Sequence, residues 1–291
     1  MPAPKRRFRT MVRQMMGPPA TLAALARTLR TPLLHFDRSR LDRLSTTVIR
    51  LRPELIVAAT FPALIPESLI SLARYGGINA HQSLLPKGRG PDPLFWSYYD
   101  NDPSIGSTIH WMDAGYDTGD VIAQESIPIP RGQRVEETYF KLGAIGAAQI
   151  SAVVTSIEKG SAKRVPQDHS RATYQPSPLK AEWRVRFDEW SAERTWHFLA
   201  GVGRMFGSLA RDPAGNRLPM NVATAFATES HGRPAGTWER VNERLRLFCT
   251  DGTVDVTLPP LRRGPVQRVL HALTSSVRSS PSSAGEESTG R

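Results

Sequence analysis

A short, uninterrupted apolar run at residues 55–59 constrains the fold of this chain more than any other feature. Apolar runs of this length, without polar alternation, are typical of parallel strands that are covered on both faces. A helical pattern follows, with Pro66 at a position that suits the first turn of a helix, and Gly76 and Gly77 end it. Residues 78–81 then form a second candidate strand. This order predicts a strand–helix–strand unit of an α/β protein.

The same alternation extends in both directions along the chain. Residues 33–36 are predicted to form a short strand and residues 41–51 an amphipathic helix. Downstream, the patterns predict strands at 105–112 and 121–127 and a long helix at 136–158. Regular alternation of strands and helices favours a Rossmann-like parallel sheet.

Two polar side chains stand at the end of the second strand. Asn79 and His81 are two residues apart, so in a strand they project from the same face. In open α/β sheets the carboxyl ends of the strands line the ligand crevice. A glycine-containing loop at residues 113–120 carries a third group, Asp117, which we expect to lie beside His81. An amide, an imidazole and a carboxylate together can stabilise an oxyanion and transfer a proton, which is the chemistry of acyl transfer.

Each of these residues also has an ordinary structural interpretation. A lone histidine is more often a core or surface residue than a catalyst, and Asn and Asp are common in turns for backbone reasons. His110 lies within a predicted strand, and without a second cluster of His, Cys or acidic residues at ligand spacing we interpret it as structural. The single cysteine, Cys249, excludes an internal disulfide and a multi-cysteine metal site, and we expect it to be buried. No metal site is predicted.

Four motifs in a fixed order carry a resemblance to a known family. They are Asn-x-His-x-Ser-Leu-Leu-Pro at 79–86, Arg-Gly-x-x-Pro at 89–93, Gly-x-Thr-x-His-x-Met-Asp at 106–113 and Asp-Thr-Gly-Asp-x-Ile at 117–122. With these motifs, residues 31–165 resemble the catalytic domain of the 10-formyltetrahydrofolate-dependent formyltransferase family. Within that family the chain is most similar to the branch that acts on methionyl-tRNA.

The resemblance implies a formyl donor and three catalytic residues. The donor is 10-formyltetrahydrofolate, used as a co-substrate without a metal, and the catalytic residues are Asn79, His81 and Asp117. The Asn79 amide and a protonated His81 are expected to hydrogen-bond the formyl oxygen as negative charge grows on it. Asp117 is expected to raise the pKa of His81 and to accept a proton from the attacking amine.

The resemblance also implies where the folate lies. The loop after the second strand corresponds to a segment that contacts tetrahydrofolate in relatives, and two further loops correspond to the walls of the pterin pocket. For Leu84, Leu85 and Ile65, ordinary packing is an equal alternative. The residues expected to bind folate are Ser83, Leu84, Leu85, Pro86, Ala63, Leu64, Ile65 and Asp113.

The amino-terminal part departs from the family. Family members begin with an apolar strand that ends in a glycine-rich turn, whereas residues 1–30 form a basic arm with a short helix. The sheet is therefore expected to lack the family's first strand. An upstream start codon or a smaller sheet would each account for this difference.

The chain is expected to continue into a second domain. Residues 166–180, rich in Pro and Ser, are predicted to be a linker, and residues 181–263 a substrate-binding domain in which Ser191 caps a helix. Short strands separated by turns predict a small β-barrel there, and the resemblance implies an OB-like barrel that holds tRNA. Residues 264–291 are expected to form a disordered tail.

The charge distribution and the hydropathy pattern limit the classes of partner that we expect this chain to bind. The net charge is +11, and the excess of basic residues lies before residue 37 and after residue 179. This distribution suits a polyanionic partner such as tRNA, although arginine-rich composition alone is an equal explanation. No apolar run approaches the roughly 18–20 residues that span a membrane. We therefore expect a cytoplasmic protein with no membrane partner, and the sequence predicts no oligomeric state.

Four functions are compatible with these residues. The acceptor of the formyl group is expected to be the amine of methionyl-tRNA. The alternatives are an amino sugar attached to a nucleotide, water in a formyltetrahydrofolate hydrolase, and a non-catalytic homologue that binds folate or tRNA.

Overall fold

The computed structural model describes most of the chain, namely residues 22–33, 41–61, 63–218 and 220–258. The greater part of the predicted basic arm and all of the predicted tail lie outside the described residues. Three residues of the predicted strand at 33–36 also lie outside them, and Leu33 is not in a strand.

Six helices and eight strands are named here in chain order. The helices are α1 (Leu22–Thr28), α2 (Leu41–Leu51), α3 (Glu67–Ile70), α4 (Pro93–Tyr99), α5 (Val135–Glu158) and α6 (Ala192–Phe206). The strands are β1 (Ile56–Ala59), β2 (Gly77–His81), β3 (Ser104–Trp111), β4 (Val121–Pro128), β5 (Ala223–Ala227), β6 (Trp238–Val241), β7 (Arg244–Phe248) and β8 (Thr253–Thr257). Two short 3₁₀ turns cover His169–Arg171 and Gly207–Leu209.

The first sheet is mixed rather than parallel. Its order is β1-β2-β3-β4; β1 runs parallel to β2, whereas β2 and β4 are both antiparallel to β3. The prediction of a parallel sheet is therefore correct for β1 and β2 and wrong for the rest. Only nine residues separate β3 from β4, and a parallel pair needs a crossover of about a dozen or more.

A long helix covers one face of this sheet. Inward-facing side chains of α5 pack on the even-numbered residues of β2 and the odd-numbered residues of β3, in a cluster of Ile78, Ile109, Trp111, Ile122, Val153 and Ile157. Because strand residues alternate between faces, the polar residues Asn79, His81 and His110 are left on the opposite face.

The length and composition of helix α5 are relevant to the expectation that the protein has no membrane partner. Helix α5 is long and apolar enough, by length and composition alone, to cross a membrane. It is not an uninterrupted apolar run, since Gln149, Ser151 and Thr155 lie within it. One such helix is weak support for a span, because a core helix meets the same criterion, and α5 contributes Val153 and Ile157 to the core.

A second core joins α4 and α6 to the carboxy-terminal sheet. Phe95 of α4 is fully buried, with its ring centroid 4.8 Å from that of Phe206 and 5.7 Å from that of Phe198. The Ser191 cap predicted for α6 is present, since its hydroxyl accepts a hydrogen bond from the Arg194 N–H at 3.1 Å. Cys249 is buried in this core, and burial raises the pKa of its thiol to about 11.

The carboxy-terminal sheet is open. Its strand order is β5-β8-β7-β6, and every pair is antiparallel. Within residues 220–258 both β5 and β6 have only one partner strand, so these strands do not close a barrel. The predicted short strands are therefore confirmed, and the predicted barrel is not.

His197 connects the fold to an expected pH dependence of stability. Its imidazole stacks on the Tyr98 ring at 5.2 Å, Nδ1 accepts the Gly132 N–H at 3.0 Å, and Nε2 is buried without a partner among the described residues. Burial, reinforced by the charge of Arg131, lowers the pKa of His197 to about 4. The unfolded chain therefore protonates this histidine near pH 6.5, whereas the folded chain protonates it only near pH 4.

We expect this group to lower the free energy of unfolding by on the order of 3 kcal/mol as the pH falls from 6.5 to 4. His197→Asn keeps an acceptor for Gly132 but does not titrate. Urea unfolding at several pH values should show a weaker dependence in this variant. Equal dependence in both proteins would contradict the assignment.

Candidate active site

The pairing of β2 with β3 creates a polar patch on the face opposite α5. In this antiparallel register Asn79 lies directly across from His110, and His81 lies across from Thr108. Directly opposed residues share a face, with Cβ atoms about 4.5–5.5 Å apart. A second histidine, His110, therefore lies on the same face of the sheet as Asn79 and His81.

Asp117 reaches this patch from the loop between β3 and β4. The loop is folded by Asp113, whose Oδ1 accepts the Gly115 N–H at 3.0 Å and the Thr118 hydroxyl at 2.5 Å. Asp117 adopts a left-handed conformation with φ of 57°, which Asp tolerates better than most residues. Its Oδ1 then lies 3.5 Å from His81 Nδ1, as the sequence led us to expect.

Hydrogen bonds connect the members of this cluster. The Asn79 amide nitrogen donates to Asp117 Oδ1 at 3.1 Å and lies 3.2 Å from His110 Nε2. The second carboxylate oxygen, Oδ2, accepts the Gly90 N–H at 2.9 Å. An amide, two imidazoles and a carboxylate therefore form one half-buried network.

The tautomer of His81 follows from its backbone contact. His81 Nε2 lies 2.8 Å from the carbonyl oxygen of Gly88, which can only accept. The proton of the neutral ring therefore lies on Nε2, and Nδ1 faces Asp117 with a free lone pair. A ring in this state is prepared to receive a proton on the side of the carboxylate.

The pKa of His81 is shifted in the direction opposite to the one we expected. Burial lowers the pKa of His81 and outweighs the opposing effects of the Asp117 charge and the Gly88 carbonyl. We expected Asp117 to raise this pKa enough to keep the ring charged. Desolvation prevails because His81 is only 8% exposed.

Asp117 remains ionised in the same surroundings. Burial alone would raise its pKa, but its polar contacts with His110 and His81 and the Gly90 N–H together lower it below the ordinary value. The resting cluster therefore pairs a carboxylate with neutral His81.

His110 was interpreted as structural, yet it lies within the cluster. It is almost fully buried, its Nδ1 donates to the Trp111 carbonyl at 2.7 Å, and its Nε2 lies 3.5 Å from Asp117 Oδ1. With the proton on Nδ1, Nε2 accepts the Asn79 amide and orients it. The signal that could have found it is the alternation of Thr108 and His110 on one face of β3.

The eight residues expected to bind folate differ in how deeply they are buried. Ser83 and Leu85 are buried. The Thr108 hydroxyl donates a hydrogen bond to the backbone carbonyl of Ser83 at 2.6 Å and accepts one from the backbone N–H of Leu85 at 3.3 Å. The other six are half-buried and can present surface to a ligand: Ala63, Leu64, Ile65, Leu84, Pro86 and Asp113. Their contact with folate remains a prediction.

A small cavity lies behind the same loop. Ser83 and Leu84 line it together with Lys87 and Asp102, and its volume is about 150 Å³. Pockets for small molecules usually enclose about 300–1,000 Å³, so we do not assign this cavity to folate. No group of three or more His, Cys, Asp or Glu side chains in the described part of the chain is placed to hold a metal ion.

Comparison with known proteins identifies the family. The sequence model of the formyl transferase family matches residues 6–154. The methionyl-tRNA formyltransferase of Acetivibrio thermocellus is 32% identical over 77% of this chain and 73% of its own length. That of Moorella thermoacetica is 34% identical over 84% of this chain and 78% of its own.

Solved structures share the fold at lower sequence identity. WlaRD, a sugar 3N-formyl transferase, is 17% identical with a TM-score of 0.61, covering 81% of each chain. HypX from Aquifex aeolicus in complex with tetrahydrofolic acid is 20% identical with a TM-score of 0.53, covering 74% of this chain and 37% of that one. These likenesses confirm a formyltransferase-like α/β fold.

The matches confirm the resemblance carried by the four motifs and, with it, an enzyme of formyl transfer. The chain belongs to the formyl transferase family.

Proposed function

We propose that this protein transfers the formyl group of 10-formyltetrahydrofolate to the amino group of methionyl-tRNA, with Asn79, His81 and Asp117 as catalytic residues. The observation that carries the catalytic part is the convergence of these three side chains, with His81 Nδ1 3.5 Å from Asp117 Oδ1. The acceptor is supported by relatives of that name over most of the chain.

His81 acts first as the proton acceptor. The attacking amine must lose a proton as its nitrogen bonds to the formyl carbon, and His81 Nδ1 carries a lone pair on the side of the site. The resulting imidazolium would stand beside the Asp117 carboxylate, which lowers the cost of its charge. Asp117 thus stabilises the intermediate charge state of His81.

Asn79 stabilises the developing oxyanion. In the resting cluster its amide hydrogens are directed to Asp117 and His110. Once the carbonyl oxygen gains charge it is the stronger acceptor, so one N–H turns toward it. A single donor of this kind typically contributes about 10²–10³ in rate.

The proton then leaves with the folate. The tetrahedral intermediate collapses when the bond from the formyl carbon to N10 breaks, and N10 takes the proton held on His81 Nδ1. The products are the formylated amine and tetrahydrofolate, and His81 is neutral again. The lowered pKa of His81 favours this return.

Residues 181–263 are the proposed acceptor-binding region, joined to the catalytic region of residues 31–165 through the segment 166–180. Strands β5–β8 would serve as part of an OB-like tRNA-binding surface. The support is the excess of basic residues after position 179, which suits a polyanion in the cytoplasm.

The test is a labelled-donor assay with three acceptors. The protein is incubated with 10-formyltetrahydrofolate carrying a labelled formyl group and with methionyl-tRNA, an amino-sugar nucleotide or water alone. We expect label in formyl-methionyl-tRNA, with transfer weakening steeply as salt is raised from 50 to 200 mM. Label found only in the sugar or only in formate would replace the proposed acceptor. No release of label at all would contradict catalysis.

A further inference from the structure

We propose that Gln167 is a positioning residue for Asp117, and that residues 167–175 form a strap that fixes both sides of the candidate site. The strap lies beyond the residues 6–154 that match the family model and within the segment predicted to be a linker. The inference rests on the proposed function for its kinetic consequences, although its structural consequence does not depend on activity.

Gln167 holds the backbone of the Asp117 loop. Its amide nitrogen donates to the carbonyl of Asp117 at 3.0 Å and to the carbonyl of Gly119 at 2.7 Å. The first carbonyl belongs to Asp117, whose backbone is in the left-handed conformation, and the second belongs to Gly119, two residues further on. Both hydrogens of one buried amide therefore fix the backbone conformation that aims the carboxylate at His81.

Arg89 fixes the orientation of Gln167. Its Nη2 donates to Gln167 Oε1 at 2.8 Å and lies 3.0 Å from His169 Nδ1. Arg89 is 8% exposed, and its Nε is buried without a partner among the described residues. Since a guanidinium can only donate, Oε1 must face it and the amide hydrogens must face the loop.

The remainder of the strap pairs with the loop that follows His81. The Thr173 hydroxyl accepts the Gly88 N–H at 2.8 Å, and its carbonyl accepts the Arg89 N–H at 2.9 Å. The Gln175 N–H donates to the Arg89 carbonyl at 2.8 Å. Residues 88 and 89 are therefore tied to the strap as if to a neighbouring strand.

This pairing reaches both catalytic side chains. Gly88 supplies the carbonyl that sets the tautomer of His81, and Gly90 supplies the N–H that lowers the pKa of Asp117. Asp117 is thus held at its carboxylate through Gly90 and at its backbone through Gln167. Loss of either support would let the carboxylate turn away from His81.

The experiment uses two substitutions of Gln167 in the full chain. Gln167→Met keeps length but removes the donor and the acceptor. Gln167→Glu keeps an acceptor for Arg89 but places a carboxylate oxygen, which cannot donate, against the two carbonyls. Gln133→Met is the matched control, because Gln133 also donates to a neighbouring oxygen, that of Thr138, outside the site.

Two measurements are made on each variant. We expect both Gln167 variants to lower kcat for formyl transfer by about ten- to a hundredfold with a smaller change in KM for the folate, because misplacement of about 1 Å can cost a hundredfold. We also expect faster hydrogen exchange at the Gly90 amide, with exchange in β3 unchanged. The control should match the unmodified protein in both.

Exchange at Gly90 equal to that of the unmodified protein, or a Gln167→Glu variant with full kcat, would overturn the positioning role. Uniformly faster exchange across β3 would also overturn it, since it would indicate general destabilisation. If the unmodified protein transfers no formyl group, the proposed function fails, but exchange at Gly90 still tests the strap.

Discussion

Replacing Asp117 with asparagine is expected to lower kcat/KM for formyl transfer by about a thousandfold while the protein stays folded. Asparagine keeps the shape and can still accept the Gly90 N–H, but it carries no charge to stabilise a protonated His81. The loss should appear mainly in kcat, because the charge matters after the amine proton has moved. Steady-state transfer with labelled donor measures the effect, and thermal unfolding confirms the fold.

Asp120→Asn provides the control for this substitution. Asp120 lies on the same loop, only three residues further on, and its carboxylate contacts Arg164 at 3.8 Å rather than the cluster. We expect this variant to retain activity within about threefold, since exposed ion pairs contribute little. Near-normal kcat/KM in Asp117→Asn would remove the carboxylate from the mechanism.

Replacing His81 with glutamine is expected to reduce transfer by about 10²–10⁴. Glutamine can donate to the Gly88 carbonyl, as His81 Nε2 does, but it cannot accept the amine proton. The pH dependence provides a second readout. Because burial lowers the pKa of His81 below 6.5, its neutral form persists at neutral pH and activity should fall only at lower pH.

The ratio of the two rates isolates this effect. The acceptor amine titrates in both proteins, so the ratio of unmodified to variant kcat/KM removes its contribution. We expect this ratio to be constant above pH 6.5 and to decline below it. A ratio that rises on acidification would show that the charged ring is the active form.

Stability needs its own comparison. His231 resembles His81 in one respect, since its Nε2 donates to a backbone carbonyl, that of Cys249, at 3.0 Å. The change in unfolding free energy in His231→Gln therefore measures the cost of replacing such an imidazole with glutamine. A similar cost in His81→Gln would show that its loss of activity does not come from unfolding.

The sequence alone determined the local elements and the chemical groups. The apolar run at 55–59 predicted a parallel strand, and β1 does pair in parallel with β2, although Val57 is exposed rather than covered. The two-residue spacing of Asn79 and His81 placed both on one face, because side chains of a strand alternate. The four motifs identified the family, which the comparisons confirmed.

Tertiary structure decided how those groups meet. His110 entered the site because β3 runs antiparallel to β2, and strand direction depends on connections that local periodicity does not encode. The neutral state of His81 depends on burial, which is a property of the assembled fold. Gln167 reaches Asp117 across fifty residues of chain. Its sequence neighbourhood of Pro, Ser and Thr indicated only a linker, because hydrogen bonds between distant backbones leave no periodic signal in the sequence.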